Sequence, residues 1–145
     1  MTEMLLVVAI AGRRAGLPAT TVNAVIELAS VTPVPRAAPH VAGLAALRSR
    51  PLTVIDCRIS LDVEPAPADM VRRAVVVEHA GHLYGLLVDA ADDIVATVAE
   101  PGPLGADPGP GWRRVATSKV ETEAGVLLLL DLAALIAGPD RSLAA

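Results

Sequence analysis

Turn signals interrupt this chain so often that no apolar stretch has room to become a long helix. Its 145 residues include 12 prolines and 11 glycines. Between them lie short runs rich in Val, Leu and Ile, such as Leu5 to Ala11, Leu83 to Val88 and Val126 to Leu130. Short apolar runs bounded by Gly, Pro and Asp read as strands, because a buried helix needs about 10–12 residues. Many short strands with little helix point to an all-β barrel or sandwich. Hydrophobic residues make up 53% of the chain but aromatics only 1%, with no Phe. The core must therefore be aliphatic, with Trp112 and Tyr84 as its only large rings.

Along the chain, Leu5 to Ala11 reads as a buried strand, and Gly12-Arg13-Arg14 as a turn. In Thr20 to Leu28, Val22, Val25 and Ile26 fit a short helical turn capped by Thr20 or Thr21; Val25 and Ile26 fit the start of a strand equally well. Pro33, Pro35 and Pro39 hold Val34 to Ala38 extended, since proline fixes its own φ and biases the preceding residue away from helix. Pro39 suits the first position of a helical turn that Gly43 can end. Pro51 to Leu61 reads as a strand and Asp62 to Asp69 as a loop. Ala74 to Glu78 and Leu83 to Val88 form a hairpin through His79-Ala80-Gly81-His82. Ile94 to Val98 is a short strand, and the Pro/Gly tract Pro101 to Gly111 is expected to be a mobile loop. After the strand Val126 to Leu130, Asp131 caps a closing helix carrying Leu132, Leu135 and Ile136, which Gly138-Pro139 stops.

Charge narrows the function. A net charge of −4 argues against nucleic-acid binding, which needs a basic stripe to displace counterions from phosphate. The arginine pairs Arg13-Arg14, Arg72-Arg73 and Arg113-Arg114 are scattered among acids and read as solvated surface. A single cysteine, Cys57, excludes an internal disulfide, and its apolar surroundings suit a small buried hydrophobe. The start lacks the basic region of a secretory signal. The run Val126 to Ala137, broken by Asp131, is shorter than the ~20 residues a membrane span needs. A cytoplasmic protein is the expectation.

No catalytic constellation emerges. Asp56, Asp89 and Asp131 each close a strand-like run. As a set they suggest a carboxylate or metal site; singly, each is explained by accepting amides where a strand stops. His79 and His82 flank a turn without the further ligands that zinc takes, and His40 lies apart. There is no Gly-x-Ser-x-Gly, and prolines interrupt the glycines from Gly102 to Gly111, removing the amide donors of a phosphate cradle. The reading is a non-enzyme without cofactor or metal, with a small Asp/His metal-dependent enzyme as the remote rival.

The stretch Pro35 to Arg58, PRAAPHVAGLAALRSRPLTVIDCR, carries a more specific pattern. It resembles the signature of the CheW family of chemotaxis adaptors, which runs approximately Pro, Pro-x-x-x-Gly, Asn-Leu-Arg-Gly, Pro-x-x-Asp-Leu-Arg. Pro35, Pro39, Gly43, Leu47, Arg48, Asp56 and Arg58 fall in register. Further on, Gly85-Leu86-Leu87-Val88-Asp89 with Ile94-Val95 resembles the family's Gly-x-x-Val-Asp-x-Val.

The resemblance implies two intertwined, SH3-like five-stranded barrels around one hydrophobic core, as a single domain over 1–138 with a tail at 139–145. It makes Pro35, Pro39, Gly43, Asp56, Arg58, Gly85 and Asp89 structural. It also places Val22, Val25, Leu47, Arg48 and Ser49 in a groove that receives the tip of a chemoreceptor's helical hairpin. Implied partners are that receptor and a CheA-type histidine kinase, in arrays at the cytoplasmic side. Departures stand at Ala24, where the family has a Glu thought to pair with the Leu-Arg arginine, at Ala46 for Asn and at Ser49 for Gly. They leave open an accessory adaptor that binds receptor but has lost the kinase.

Overall fold

A computed structural model describes residues 3–28 and 30–139. Ten strands form two five-stranded sheets. In chain order they are β1 (Met4–Ile10), β2 (Arg13–Pro18), β3 (Val22–Ile26), β4 (Val41–Leu47), β5 (Arg50–Asp56), β6 (Arg73–His79), β7 (His82–Val88), β8 (Ala90–Ala96), β9 (Ala116–Thr122) and β10 (Gly125–Leu130). Three short helices accompany them: α1 (Cys57–Ser60), α2 (Pro110–Val115) and α3 (Leu132–Ala137). The first sheet has the order β8-β1-β2-β10-β9 and the second β3-β6-β7-β5-β4. The chain thus begins in one barrel, builds the other with β3 to β7, and returns to complete the first.

Each sheet curls and closes on itself. In the first, Thr97 beyond β8 bridges Thr122 of β9; in the second, Thr32 beyond β3 bridges Leu44 of β4. The order β8, β9, β10, β1, β2 in one barrel repeats the order β3 to β7 in the other. Local chemistry repeats with it. The central hairpins turn at Ala11-Gly12 and Ala80-Gly81, each with φ near +52° and +83°, the type I′ geometry whose twist matches paired strands. Gly16 lies against Leu129 and Gly85 against Val54 in the parallel pairings β2–β10 and β5–β7. Asp131 and Asp56, two residues beyond those partners, each accept backbone amides of the helix that follows.

Side-chain alternation shows why β1 and the centre of β6, Ala74 to Val77, are continuously apolar. Leu5 and Val7 point into the first barrel, while Leu6, Val8 and Ile10 enter the core shared by both. Likewise Val76 fills the second barrel and Val75 and Val77 reach the shared core. Strands buried on both faces need continuous apolar sequence. Ile55, Cys57, Leu86 and Val88 join that core from the second barrel, and Leu61, Trp112, Val115 and Leu135 from the helices and their ends.

The structure corrects several local expectations. Val41–Leu47 is a strand, and Gly43 does not end a helix. It occupies a bulge with φ +149°, where a side chain would run into the Thr32 carbonyl that closes the barrel. The strand expected over Pro51 to Leu61 stops at Asp56, whose side chain caps α1. Thr20 to Ile26 divides into a 3-10 turn at Ala19–Thr21 and strand β3. The tract Pro101 to Gly111 is held rather than loose: Gly102 and Lys119 exchange backbone hydrogen bonds of 2.8 and 2.9 Å, and Pro110 opens α2. Arg13 and Arg14, expected in a turn with Gly12, instead open strand β2, and the turn lies at Ala11-Gly12. Strand β9 has no counterpart among the sequence expectations. From residue 140 on, the expected tail lies outside the described residues.

Candidate functional site

Two groups of signature residues separate in space. The first ties the barrels together. Arg58 Nε and Nη2 donate to Asp89 Oδ1 and Oδ2 at 3.0 and 2.7 Å, a forked pair. Asp89 Oδ2 also accepts the Ala11 amide at 2.8 Å, and the Asp89 amide donates to the Ala9 carbonyl at 2.9 Å. Ala9 and Ala11 belong to the first barrel's hairpin and Arg58 to the helix after β5, so the cluster joins both lobes. Arg58 Nη1 donates to the Glu64 carbonyl at 3.1 Å, fixing the acidic loop as well. Asp56 caps α1 through the Arg58 and Ile59 amides and lies 3.0 Å from Arg72 Nη1, an ion pair without an aligned hydrogen bond.

These contacts set the ionisation of the cluster. Partial burial works to raise the Asp89 carboxyl, but the Arg58 hydrogen bonds, the Ala11 amide and the nearby guanidinium charges hold it below the ordinary carboxylate range. The same hydrogen bond to Asp89 raises Arg58 further. Burial pushes the Cys57 thiol far up, with Asp56 adding to it, so this cysteine is no nucleophile. Asp131 is engaged in its helix cap, accepting the Ala133 amide at 3.0 Å. All three strand-ending aspartates thus serve caps or ion pairs. Among the described residues no group of three or more His, Cys, Asp or Glu is placed to hold a metal.

The second group lies at one end of the second barrel. A groove of about 360 Å³ there is lined by Asn23, Ala24, Ile26, Leu47, Arg48, Arg50 and Leu83. Its apolar floor continues into a small cluster of Leu52, Val76 and Leu83. The β4–β5 turn that forms one rim is unusual. Arg48 and Ser49 have φ of +49° and +71°, and nowhere else among the described residues do two consecutive non-glycine residues take positive φ. Left-handed backbone costs an L-residue about 1–2 kcal/mol, and such strain gathers at functional segments.

The expected groove residues divide. Leu47 and Arg48 line the groove, and Ser49 is the exposed second residue of its turn. Val22 packs against the shared core, while Val25 is exposed on the face of β3 opposite Ala24 and Ile26. A bulge at Asn23 separates these two valines in register. Ile26, Arg50 and Leu83 line the groove but were not singled out from sequence. Their signal was positional: Ile26 shares the face of Ala24, and Leu83 and Arg50 sit beside hairpin turns. Pro35 lies at a turn before β4, and Pro39 precedes His40, which is buried and bonds the Ile136 carbonyl through Nε2 at 2.8 Å.

Comparison with known proteins agrees with this architecture. The scaffolding protein TtCheW from Thermoanaerobacter tengcongensis has the same fold, with a TM-score of 0.79 at 21% identity over 91% of this chain and 90% of that one. No curated protein sequence matches. No described helix is long and apolar enough to cross a membrane. Residues 4–139, nearly the whole chain, match the family model of the CheW-like domain. The chain belongs to the CheW-like domain family.

Proposed function

We propose that this chain is a non-enzymatic chemosensory adaptor that binds the helical tip of a chemoreceptor's cytoplasmic domain in the groove beside Arg48, and couples that receptor to a CheA-type histidine kinase. The family is one of scaffolds, which supports the general class. The observation that carries the specific reading is the groove itself: a trough of about 360 Å³ with an apolar floor, rimmed by a guanidinium on a strained turn. Helices dock into such troughs through an apolar stripe, and a rim arginine fixes register with its planar fork. The site of action is the cytoplasmic face of receptor arrays.

A second reading is favoured by one feature. Ala24 leaves the groove without the acid that family members carry there, and Ala46 and Ser49 also depart from the pattern. An accessory adaptor that holds receptor but not kinase fits those changes. Separate pull-downs with a receptor cytoplasmic fragment and with the kinase decide between the two. Capture of both supports coupling, capture of receptor alone supports the accessory role, and capture of neither overturns both.

A further inference from the structure

Among the described residues, no carboxylate forms an ion pair with the arginines of the groove's rim. Its floor is apolar, formed by Ala24, Ile26, Leu47 and Leu83, and its rim carries Arg48 and Arg50 with no carboxylate in the lining. Four arginines elsewhere have acids: Arg58 has Asp89, Arg72 has Asp56, Arg73 has Glu27 and Arg113 has Asp107. Arg13, Arg14 and Arg114 instead donate to backbone carbonyls of their own fold. Neither Arg48 nor Arg50 is in an ion pair among the described residues. Glu27, one residue beyond β3, is held by Arg73 at 3.3 Å. Glu78, opposite Leu83 across the hairpin, pairs with neither arginine.

The repeated topology supplies an internal control. In the first barrel the position of the Arg48-Ser49 turn is taken by Glu123-Ala124, and that of Leu83 by Arg14. There the chain seals its own end: Arg14 Nη1 donates to the Ala124 carbonyl at 3.1 Å, and Glu123 Oε1 accepts the Ala96 amide at 3.0 Å. In the second barrel both sealing groups are absent. Leucine stands for the arginine, arginine for the glutamate, and the end is left open, apolar and cationic.

We propose that the occupant of this groove is an amphipathic helix that brings its own carboxylate, flanking the apolar stripe, to pair with Arg48 and Arg50. The proposal rests on the docking role of the groove argued above and adds the chemistry of the partner. Two fixed cations with an apolar floor between them are complementary to an apolar stripe with acids at its edge, and they repel a basic one. With no carboxylate of its own in the lining, the groove takes its acid from the partner, so the chain discriminates among partners by charge.

The test uses a designed helical peptide with a Leu/Ala stripe, made in two forms that differ only in Glu or Lys at the stripe's edge. Each is titrated into isotope-labelled protein and followed by backbone amide shifts. The Glu form is expected to move the signals of Ala24, Leu47 and Leu83 and to bind at least about tenfold more tightly than the Lys form, with the preference fading at high salt. Replacing both exposed arginines, Arg48→Glu with Arg50→Glu, should invert the preference without altering the fold. Equal affinity for the two forms, shifts confined to another face, no shifts at all, or a preference that survives the inversion would each overturn the proposal. A receptor cytoplasmic fragment titrated in parallel separates the two claims. Fragment binding at the groove that ignores the charge reversal defeats only the charge rule. A clear acidic preference without fragment binding defeats only the receptor assignment.

Discussion

Replacing Asp89 by Ala removes a carboxylate that bonds both lobes, and its cost follows from the geometry. Arg58 and Asp89 have side-chain exposures of only 10% and 14%. An exposed ion pair contributes about 0–1 kcal/mol, whereas breaking a buried one costs about 3–5 kcal/mol by stranding the remaining charge. Arg58 retains the Glu64 and Pro65 carbonyls as acceptors, which softens the loss. The Ala11 amide loses its acceptor but lies in an exposed turn where water can replace it. An overall destabilisation of about 2–3 kcal/mol is expected, corresponding to a fall in Tm of roughly 4–12 °C for a chain of this size.

Trp112, the only tryptophan, is buried in the shared core and reports unfolding directly in a urea titration. A double-mutant cycle of Asp89→Ala with Arg58→Met isolates the pair from the other arginine contacts. The pH dependence has a definite sign. Asp89 is held below its unfolded value, so its contribution is complete above about pH 4 and is lost as pH falls through the lower folded value. The gap between wild type and Asp89→Asn should therefore be widest near neutrality and close in acid. A loss below about 0.5 kcal/mol, a coupling energy near zero, or a gap that widens in acid would refute the claim that this pair ties the barrels.

Three other substitutions or labels probe separate parts of the account. Gly43→Ala should cost more than about 3 kcal/mol, or abolish folding, because the new methyl meets the Thr32 carbonyl at the barrel's closure; a thermal melt like wild type would contradict the bulge geometry. Ser49→Gly relieves one left-handed residue and should raise stability by about 1 kcal/mol in urea, with an unchanged slope; no gain would mean the turn is not strained. Cys57 should resist an aromatic disulfide reagent at pH 8 until urea is added, since burial raises its pKa; rapid labelling of native protein would show the core to be open.

What the sequence made legible is local. The β6–β7 hairpin, the Asp131 cap and the Gly138 stop of α3 each depend on residues within a few positions of one another. Asp56 and Asp89 were readable as structural, but the arginine that answers Asp89 lies in another element and only the fold names it. Gly43 misled for the same reason: its positive φ serves a bulge against Thr32, a strand contact, and not a helix stop. Strand β9, ATSKVET, lacks the apolar density of β1, β7 and β10, because its outer face meets solvent. At the groove, Leu47 and Arg48 stood out by resemblance, whereas Ile26 and Leu83 required knowing that β3 and the start of β7 meet at one barrel end.

The central claim is that the groove beside Arg48 receives a receptor helix, and one titration tests it most directly. Isotope-labelled protein is titrated with a chemoreceptor cytoplasmic hairpin fragment, for wild type and for Arg48→Ala. The account predicts shifts clustered at Ala24, Leu47, Arg48 and Leu83, with affinity reduced at least about tenfold in the variant. A fragment that leaves these residues unmoved, or binds Arg48→Ala as tightly as wild type, would contradict it.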